Sequence, residues 1–352
     1  MMATRRILSG ADIVLPDRVV SGGSVVIEDG RVVDVAPRAL PASGDGWQDV
    51  TGAVIVPGFV DVHVHGVDGI DGQDGPAAVS TIARRMPTYG VTAFAPTTVA
   101  CAPDELHMVV QAVRACREKP EPGSARVLPA HLESNFVSRE YKGAQPAACL
   151  RSPAAALAGE PARAGEVFSG ADILRVIDAA GPDIGIVTLA PELDQAIALI
   201  ARLVATGRIV SLGHSGASFD VGLEAIRAGA RQATHLFNRM PPLGHREPGL
   251  AGAVLPASVL SARNAPCSRT VMSRPPSFVT VPGRSPAPAL PSVMAITRST
   301  PFAAMAVRSM PGWTWKPSHT SSAETSGDCS TAPARPGSRW PSCGMRLNRC
   351  VA

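Results

Sequence analysis

The chain of 352 residues is long enough to bury a large core, either in one α/β barrel with a small accessory domain or in two ordinary domains. Its net charge of +4 is too small to indicate a nucleic-acid or membrane partner. No segment approaches the roughly twenty apolar residues of a membrane span, and the N-terminal apolar stretch is broken by polar residues, so we expect a cytoplasmic protein. The seven cysteines lack C-x-x-C spacing, which favours reduced thiols.

Residues 1–57 predict a small β-sandwich module. Short apolar runs are separated by turn residues, and the Asp29-Gly30 pair marks a hairpin between two of these runs. The predicted strands cover 13–15, 24–27 and 32–35.

Residues 58–255 predict parallel β/α units, because strand patterns alternate with helical patterns. The six predicted strands are 59–64, 92–95, 126–132, 184–189, 209–212 and 232–235. The predicted helices between them include 104–117, 171–180, 195–205 and 221–228. This pattern indicates a (β/α)8 TIM-type barrel, although two further units would have to follow residue 240.

Residues 256–352 do not supply those units. The segment is rich in serine, proline and arginine, and its only acidic residues are Glu324 and Asp328. Prolines recur too often for a barrel helix or a central strand to form between them. We therefore expect an irregular tail, either disordered or produced by a frameshift near residue 255, and a barrel that is incomplete after its sixth strand.

Metal-binding side chains recur at the carboxyl ends of the predicted strands. His63 and His65 end the first strand in GFVDVHVHG, and alternate positions place both imidazoles on one face. Taken alone, this H-x-H pair fits a packing role equally well. Glu133, His214 and His235, however, end the third, fifth and sixth strands. Because carboxyl ends of barrel strands meet at one rim, the repetition predicts a metal site.

Five segments together carry a resemblance to a known family. In order and spacing the chain is similar to N-acetylglucosamine-6-phosphate deacetylases, which are amidohydrolases, over roughly residues 8–255. The segments are GFVDVHVHG, HLESNF with KGAQP, VTLAPE, SLGHSGAS and ATHLFNRMPPLGHREPGLAGAVL.

The resemblance implies a metal-dependent hydrolase. Glu133, His214 and His235 would bind the principal divalent ion, with His63 and His65 available for a second one. Zinc is the simplest choice for nitrogen and oxygen ligands, and iron, cobalt or manganese could also occupy the site. The implied reaction is hydrolysis of the acetamide of N-acetylglucosamine 6-phosphate by a metal-activated water, giving acetate and glucosamine 6-phosphate.

The resemblance also implies the substrate-binding residues and the oligomeric state. Asn238 and the backbone of Arg239 would contact the sugar, and Arg246 would hold the 6-phosphate, for which a guanidinium fork is well suited. Gln145 stands where the family usually has a sugar-contacting histidine, and it could still hydrogen-bond a hydroxyl. Relatives are commonly dimers, so a homodimer is expected.

Two catalytic segments of the family have no counterpart here. The general-base aspartate lies in a T-D-A segment, and a substrate-binding histidine lies in a D-G-x-H segment; neither segment occurs in this chain. The catalytic residue is therefore unknown, and we expect this 352-residue chain not to catalyse the hydrolysis.

Other classes of protein stay open. The H-x-H pair with two further histidines is shared with other amidohydrolases, such as cyclic-amide hydrolases and deaminases. A pseudoenzyme that keeps the metal, or one whose basic tail contacts nucleic acid, is the non-catalytic alternative. A deacetylase would depend on the phosphate group of its substrate, whereas a cyclic-amide hydrolase or deaminase would not.

Overall fold

The computed structural model describes residues 5–255 and the backbone of one further strand, Val293–Met294. The predictions of an irregular tail and of a frameshift near residue 255 otherwise fall outside these residues and stay predictions. The domain boundaries after residues 57 and 255 likewise stay predictions.

An N-terminal sheet is built from five strands of residues 5–57 and the Val293–Met294 strand. Its core contains Leu8, Ile13, Val25 and Ile55, which are buried together. Strands β1 and β2 pair antiparallel, and β1 continues through two irregularities in its register. The strands are β1 (Arg5–Val14), β2 (Val19–Glu28), β3 (Arg31–Ala36), β4 (Trp47–Asp49) and β5 (Val54–Pro57).

A second, curled sheet is parallel throughout and contains strands at all six predicted positions, although the predicted strand 126–132 is interrupted at Leu128 and Pro129 and forms two short strands. Strand β9 pairs with β6 on one side and with β10 and β11 on the other, and β12, β13 and β14 follow in order. The strands of this sheet are β6 (Phe59–Val64), β9 (Val91–Thr98), β10 (Arg126–Val127), β11 (Ala130–Glu133), β12 (Ile184–Leu189), β13 (Ile209–Leu212) and β14 (Gln232–Ala233). A two-stranded ribbon, β7 (Gly66–Val67) and β8 (Ile70–Asp71), follows β6.

Helices connect the barrel strands and bury one apolar face each. Val109, Ile173 and Leu199 are at most 1% exposed and lie in one continuous core with strand residues such as Phe94 and Val187. The described helices are α1 (Ala78–Arg85), α2 (Pro103–Glu118), α3 (Pro153–Leu157), α4 (Gly170–Ala180), α5 (Ala196–Ala205), α6 (Phe219–Arg227) and one over 249–255. All four predicted helices are present with ends within two residues. Within the described part of the chain, none of the helices has both the length and the apolar character needed to cross a bilayer.

Strands β6 and β14 are the two edges of the described parallel sheet. Apolar side chains of β6 are correspondingly exposed, with Phe59 at 56% and Val62 at 39%. In a closed barrel such an edge would be paired with another strand. The described strands therefore form part of a barrel, as the sequence predicted.

The N-terminus of α4 is fixed by a capping box. The Ser169 hydroxyl accepts a hydrogen bond from the Asp172 backbone N–H, and the Asp172 carboxylate accepts one from the Ser169 backbone N–H at 2.7 Å. This arrangement satisfies two backbone donors that the helix itself leaves unpaired.

We expect Ser169→Ala to lower the free energy of unfolding by about 1 kcal/mol, because the Asp172 N–H loses its acceptor. Urea denaturation followed by circular dichroism measures this change. Ser80→Ala is the matched control, since Ser80 only donates to a carbonyl within its own helix turn, and we expect it to change stability by less than about 0.5 kcal/mol. Equal effects of the two substitutions would contradict the capping role.

Candidate metal centre

Four imidazoles from three strand ends converge on a carboxylate at the end of a fourth strand. Glu133, the last residue of β11, is 2% exposed. Its Oε1 atom lies 2.8 Å from His214 Nε2, 2.7 Å from His235 Nε2 and 3.7 Å from His63 Nε2. Its Oε2 atom lies 3.3 Å from His65 Nε2. The structure thus brings together all five residues that the sequence predicted as metal ligands.

The local backbone explains this convergence. His63 lies on β6 and His65 directly follows it, so their imidazoles share a face and their Nε2 atoms are 3.2 Å apart. His214 and His235 come just after β13 and β14, and both adopt left-handed backbone, with φ of 50° and 55°. A non-glycine residue rarely adopts this conformation, and such residues cluster at functional sites.

The donor atoms form two overlapping groups that share Glu133. One contains His63 and His65, the other His214 and His235, and within each group the ligand atoms lie within 4.8 Å of one another. Three nitrogen or oxygen donors from side chains are the set that a catalytic divalent-metal site typically uses.

Contacts on the far side of the imidazoles favour a cation at this site. His214 Nδ1 lies 2.9 Å from the Tyr141 carbonyl, and His65 Nδ1 lies 3.2 Å from the Thr97 carbonyl. A carbonyl only accepts, so each Nδ1 donates its proton to it and Nε2 is the atom that faces Glu133. In a neutral ring of this tautomer, Nε2 carries the lone pair that a metal ion binds, and a carboxylate oxygen lies beside it. The residues present therefore fit a divalent metal ion.

The ionisation of the cluster is consistent with ligation. Burial raises the pKa of Glu133, but its contacts with His214, His235 and His65 outweigh burial and hold that pKa well below its usual range. Burial, reinforced by the neighbouring His131, lowers the pKa of His63 to about 3, so this imidazole is neutral at pH 7. Burial also lowers the pKa of His65, but its hydrogen bond to Glu133 reverses the direction and raises it. The carboxylate is ionised and His63 has a free lone pair.

Three of the four residues predicted to bind substrate lie in the segment after β14. Asn238 and Arg239 are exposed, and the Arg239 carbonyl accepts a hydrogen bond from Ser215 N at 3.1 Å, which ties this segment to the loop after His214. A Cβ atom on Gly143 would lie only 2.8 Å from Arg239 Nε, so the glycine allows the arginine to cross the loop. Arg246 is exposed between β14 and the 249–255 helix.

Gln145 is buried beside the carboxylate. It is 2% exposed, its Nε2 donates to Glu133 Oε2 at 2.5 Å, and its Oε1 accepts from Ala100 N at 2.7 Å. Both ends of the amide thus contact protein groups. The sugar contact expected of Gln145 stays a prediction.

Two further residues support the site. Glu192 accepts hydrogen bonds from the Ser215 hydroxyl at 2.7 Å and from Gly216 N at 2.6 Å, and so holds the loop that follows His214. Its role was not predicted, although it lies in the VTLAPE segment used for the resemblance. His131 is buried, with Nε2 2.7 Å from the Thr188 hydroxyl and its ring edge-on to that of His63 at 4.8 Å.

The carboxylate and imidazoles at the rim of a parallel barrel sheet have the arrangement of an amidohydrolase-type barrel. The comparisons narrow this class to one family. N-acetylglucosamine-6-phosphate deacetylase from Homo sapiens is 38% identical over 250 residues, covering 67% of this chain and 56% of the relative. The Bacillus subtilis enzyme of the same name is 34% identical over 260 residues, covering 72% and 61%.

Solved structures give the same result. The deacetylase from Mycobacterium smegmatis superimposes with a TM-score of 0.59 at 31% identity, covering 70% of this chain and 60% of that structure. The Pasteurella multocida deacetylase gives a TM-score of 0.62 at 25% identity, covering 72% and 63%. No protein-family model matches the chain.

These relatives confirm the family resemblance: over about two thirds of its length the chain is a homologue of N-acetylglucosamine-6-phosphate deacetylases, which are hydrolases. The chain spans less than two thirds of the length of these relatives.

We expect His214→Ala to weaken the binding of Co²⁺ or Zn²⁺ by more than roughly 100-fold, because it removes a direct metal ligand. Loss of a residue that only hydrogen-bonds to a ligand typically weakens binding roughly 10- to 100-fold. Isothermal titration calorimetry on the metal-depleted full chain measures the affinity. His107→Ala is the control, because His107 lies on α2 and contacts Gln111 in an exposed position. Unchanged affinity in His214→Ala would show that the cluster is not the metal site.

Proposed function

We propose that this chain is a divalent-metal protein whose site is built for the acetamide of N-acetylglucosamine 6-phosphate. The observation that carries this proposal is the buried Glu133 carboxylate with His214 and His235 on one oxygen, in a homologue of the deacetylases. One related structure is described as a complex with N-acetyl-D-glucosamine-6-phosphate, which supports a phosphosugar ligand.

The proposed roles follow from the positions of the side chains. Glu133, His214 and His235 hold the principal ion, and His63 and His65 offer a second position next to it. A cation bound there would supply acidification of a water molecule and polarisation of the acetamide carbonyl. Zinc fits the donors best, with iron, cobalt or manganese as the other candidates.

The substrate would be held by the segment after β14. Asn238 follows His235 closely, so its amide can reach a sugar bound above the metal, and the backbone of Arg239 lies next to it. Arg246 lies further along the same exposed segment and offers a guanidinium to the 6-phosphate. A homodimer and a cytoplasmic location remain part of the proposal.

Proton transfer is the step for which the chain has no assigned residue. Hydrolysis of an amide requires a group that takes a proton from the attacking water and gives one to the leaving amine. The family's T-D-A segment, which provides this carboxylate, does not occur in the sequence. Loss of a general base alone typically costs on the order of 100- to 10,000-fold in rate.

We therefore expect the purified 352-residue chain to bind metal but to release no measurable acetate from N-acetylglucosamine 6-phosphate. The measurement is an acetate assay with added Zn²⁺ or Co²⁺, run beside the human homologue as positive control. Metal-dependent acetate release by the chain would refute the expectation of inactivity and strengthen the assignment of the reaction.

Recognition of the substrate phosphate distinguishes a deacetylase of this family from other amidohydrolases. Hydrogen bonds to a charged group contribute about 1.5–3 kcal/mol each, so we expect Arg246→Ala to weaken binding of the phosphosugar roughly 10- to 100-fold. Calorimetry with N-acetylglucosamine 6-phosphate measures this loss.

The matched control is Arg163→Ala, because Arg163 is also exposed and pairs only loosely with Glu160 at 3.9 Å. Two outcomes would contradict the proposed phosphate contact: equal binding of phosphorylated and unphosphorylated sugars, or wild-type binding by Arg246→Ala. Either would favour a cyclic-amide hydrolase, a deaminase or a pseudoenzyme over a deacetylase.

A further inference from the structure

Gln145 occupies a special position in the loop that follows β11. The loop returns to the site twelve residues after Glu133, and the Gln145 amide then lies between the carboxylate and the backbone after β9. The turn is held by Lys142, whose carbonyl accepts from Gln145 N at 3.0 Å and whose Nζ donates to the Gln145 carbonyl at 3.3 Å. The side chain is therefore fixed at both ends.

The two oxygens of Glu133 consequently have different partners. Oε1 lies within 2.8 Å of both His214 and His235 Nε2, whereas Oε2 accepts the Gln145 amide at 2.5 Å and lies 3.3 Å from His65 Nε2. Because the carboxylate is 2% exposed, water has little access to replace a lost amide donor. The amide therefore restricts rotation of the carboxylate plane.

We infer that Gln145 is a positioning residue for the metal centre: by holding Oε2, it aims Oε1 at the ion shared with His214 and His235. This inference rests on the proposed metal site but not on the identity of the substrate. It is separate from a sugar-contacting role, which would use the second N–H of the same amide.

The chain contains a closely matched control in Gln73. The Gln73 carbonyl oxygen accepts from Val99 N at 2.8 Å, one residue before Ala100, and its amide nitrogen donates to Glu105 at 3.0 Å, away from the metal ligands. Both glutamines thus anchor the same backbone segment after β9. Of the two glutamines, only Gln145 also contacts the Glu133 carboxylate.

The test is a Co²⁺ titration of the metal-depleted full chain, with affinity read by competition against a chelator and geometry read from the visible absorption of the bound ion. We expect Gln145→Met to weaken Co²⁺ binding about 10- to 100-fold, as loss of an outer-shell partner typically does. Its absorption bands should shift, because Glu133 is free to rotate. Gln73→Met should leave both readouts unchanged.

If Gln145→Met fails to fold by circular dichroism, Gln145→Asn serves instead, since its amide is one methylene too short to span Ala100 and Glu133 together. Wild-type Co²⁺ affinity and spectrum in the folded variant would overturn the inference and favour a sugar-contacting role. Absence of Co²⁺ binding by the wild-type chain would also overturn it. Neither readout involves acetate release. A chain that binds Co²⁺ but does not release acetate would therefore still test the positioning role of Gln145.

Discussion

A single buried carboxylate surrounded by imidazoles is the interaction on which the rest of the site depends. Glu133 is removed from water, and four histidine rings approach its two oxygens within 3.7 Å. Burying an ionised carboxylate is costly unless charge of the opposite sign compensates it. The carbonyls behind His65 and His214 orient two of the imidazoles, and the Gln145 amide donates to the carboxylate itself.

The parallel sheet provides this arrangement through short strands that all end at one rim. The candidate ligands lie at or just after the ends of β6, β11, β13 and β14, so the sheet has to curl for their side chains to meet. A continuous apolar core of helix and strand residues supports these strands. The described strands thus position the candidate metal ligands, and none of them contains the T-D-A segment that the family resemblance led us to expect.

Much of the site could be predicted from the sequence, because strand ends are local signals. His63 and His65 show the two-residue period, while His214 and His235 follow short apolar runs. The contact of Gln145 with Glu133 could not be predicted, since it depends on how an irregular loop returns. In the N-terminal sheet, the start of β1 was missed because its register irregularities at Ser9 and Ala11 interrupt the alternating pattern.

His214 and His235 place their imidazoles at the rim with a strained, left-handed backbone. A non-glycine residue held there costs on the order of 1–3 kcal/mol, whereas glycine adopts the same angles without a Cβ penalty. Replacing either histidine with glycine would therefore relax the main chain and at the same time remove a donor atom from the candidate metal centre. At these two positions a relaxed backbone comes at the expense of the imidazoles.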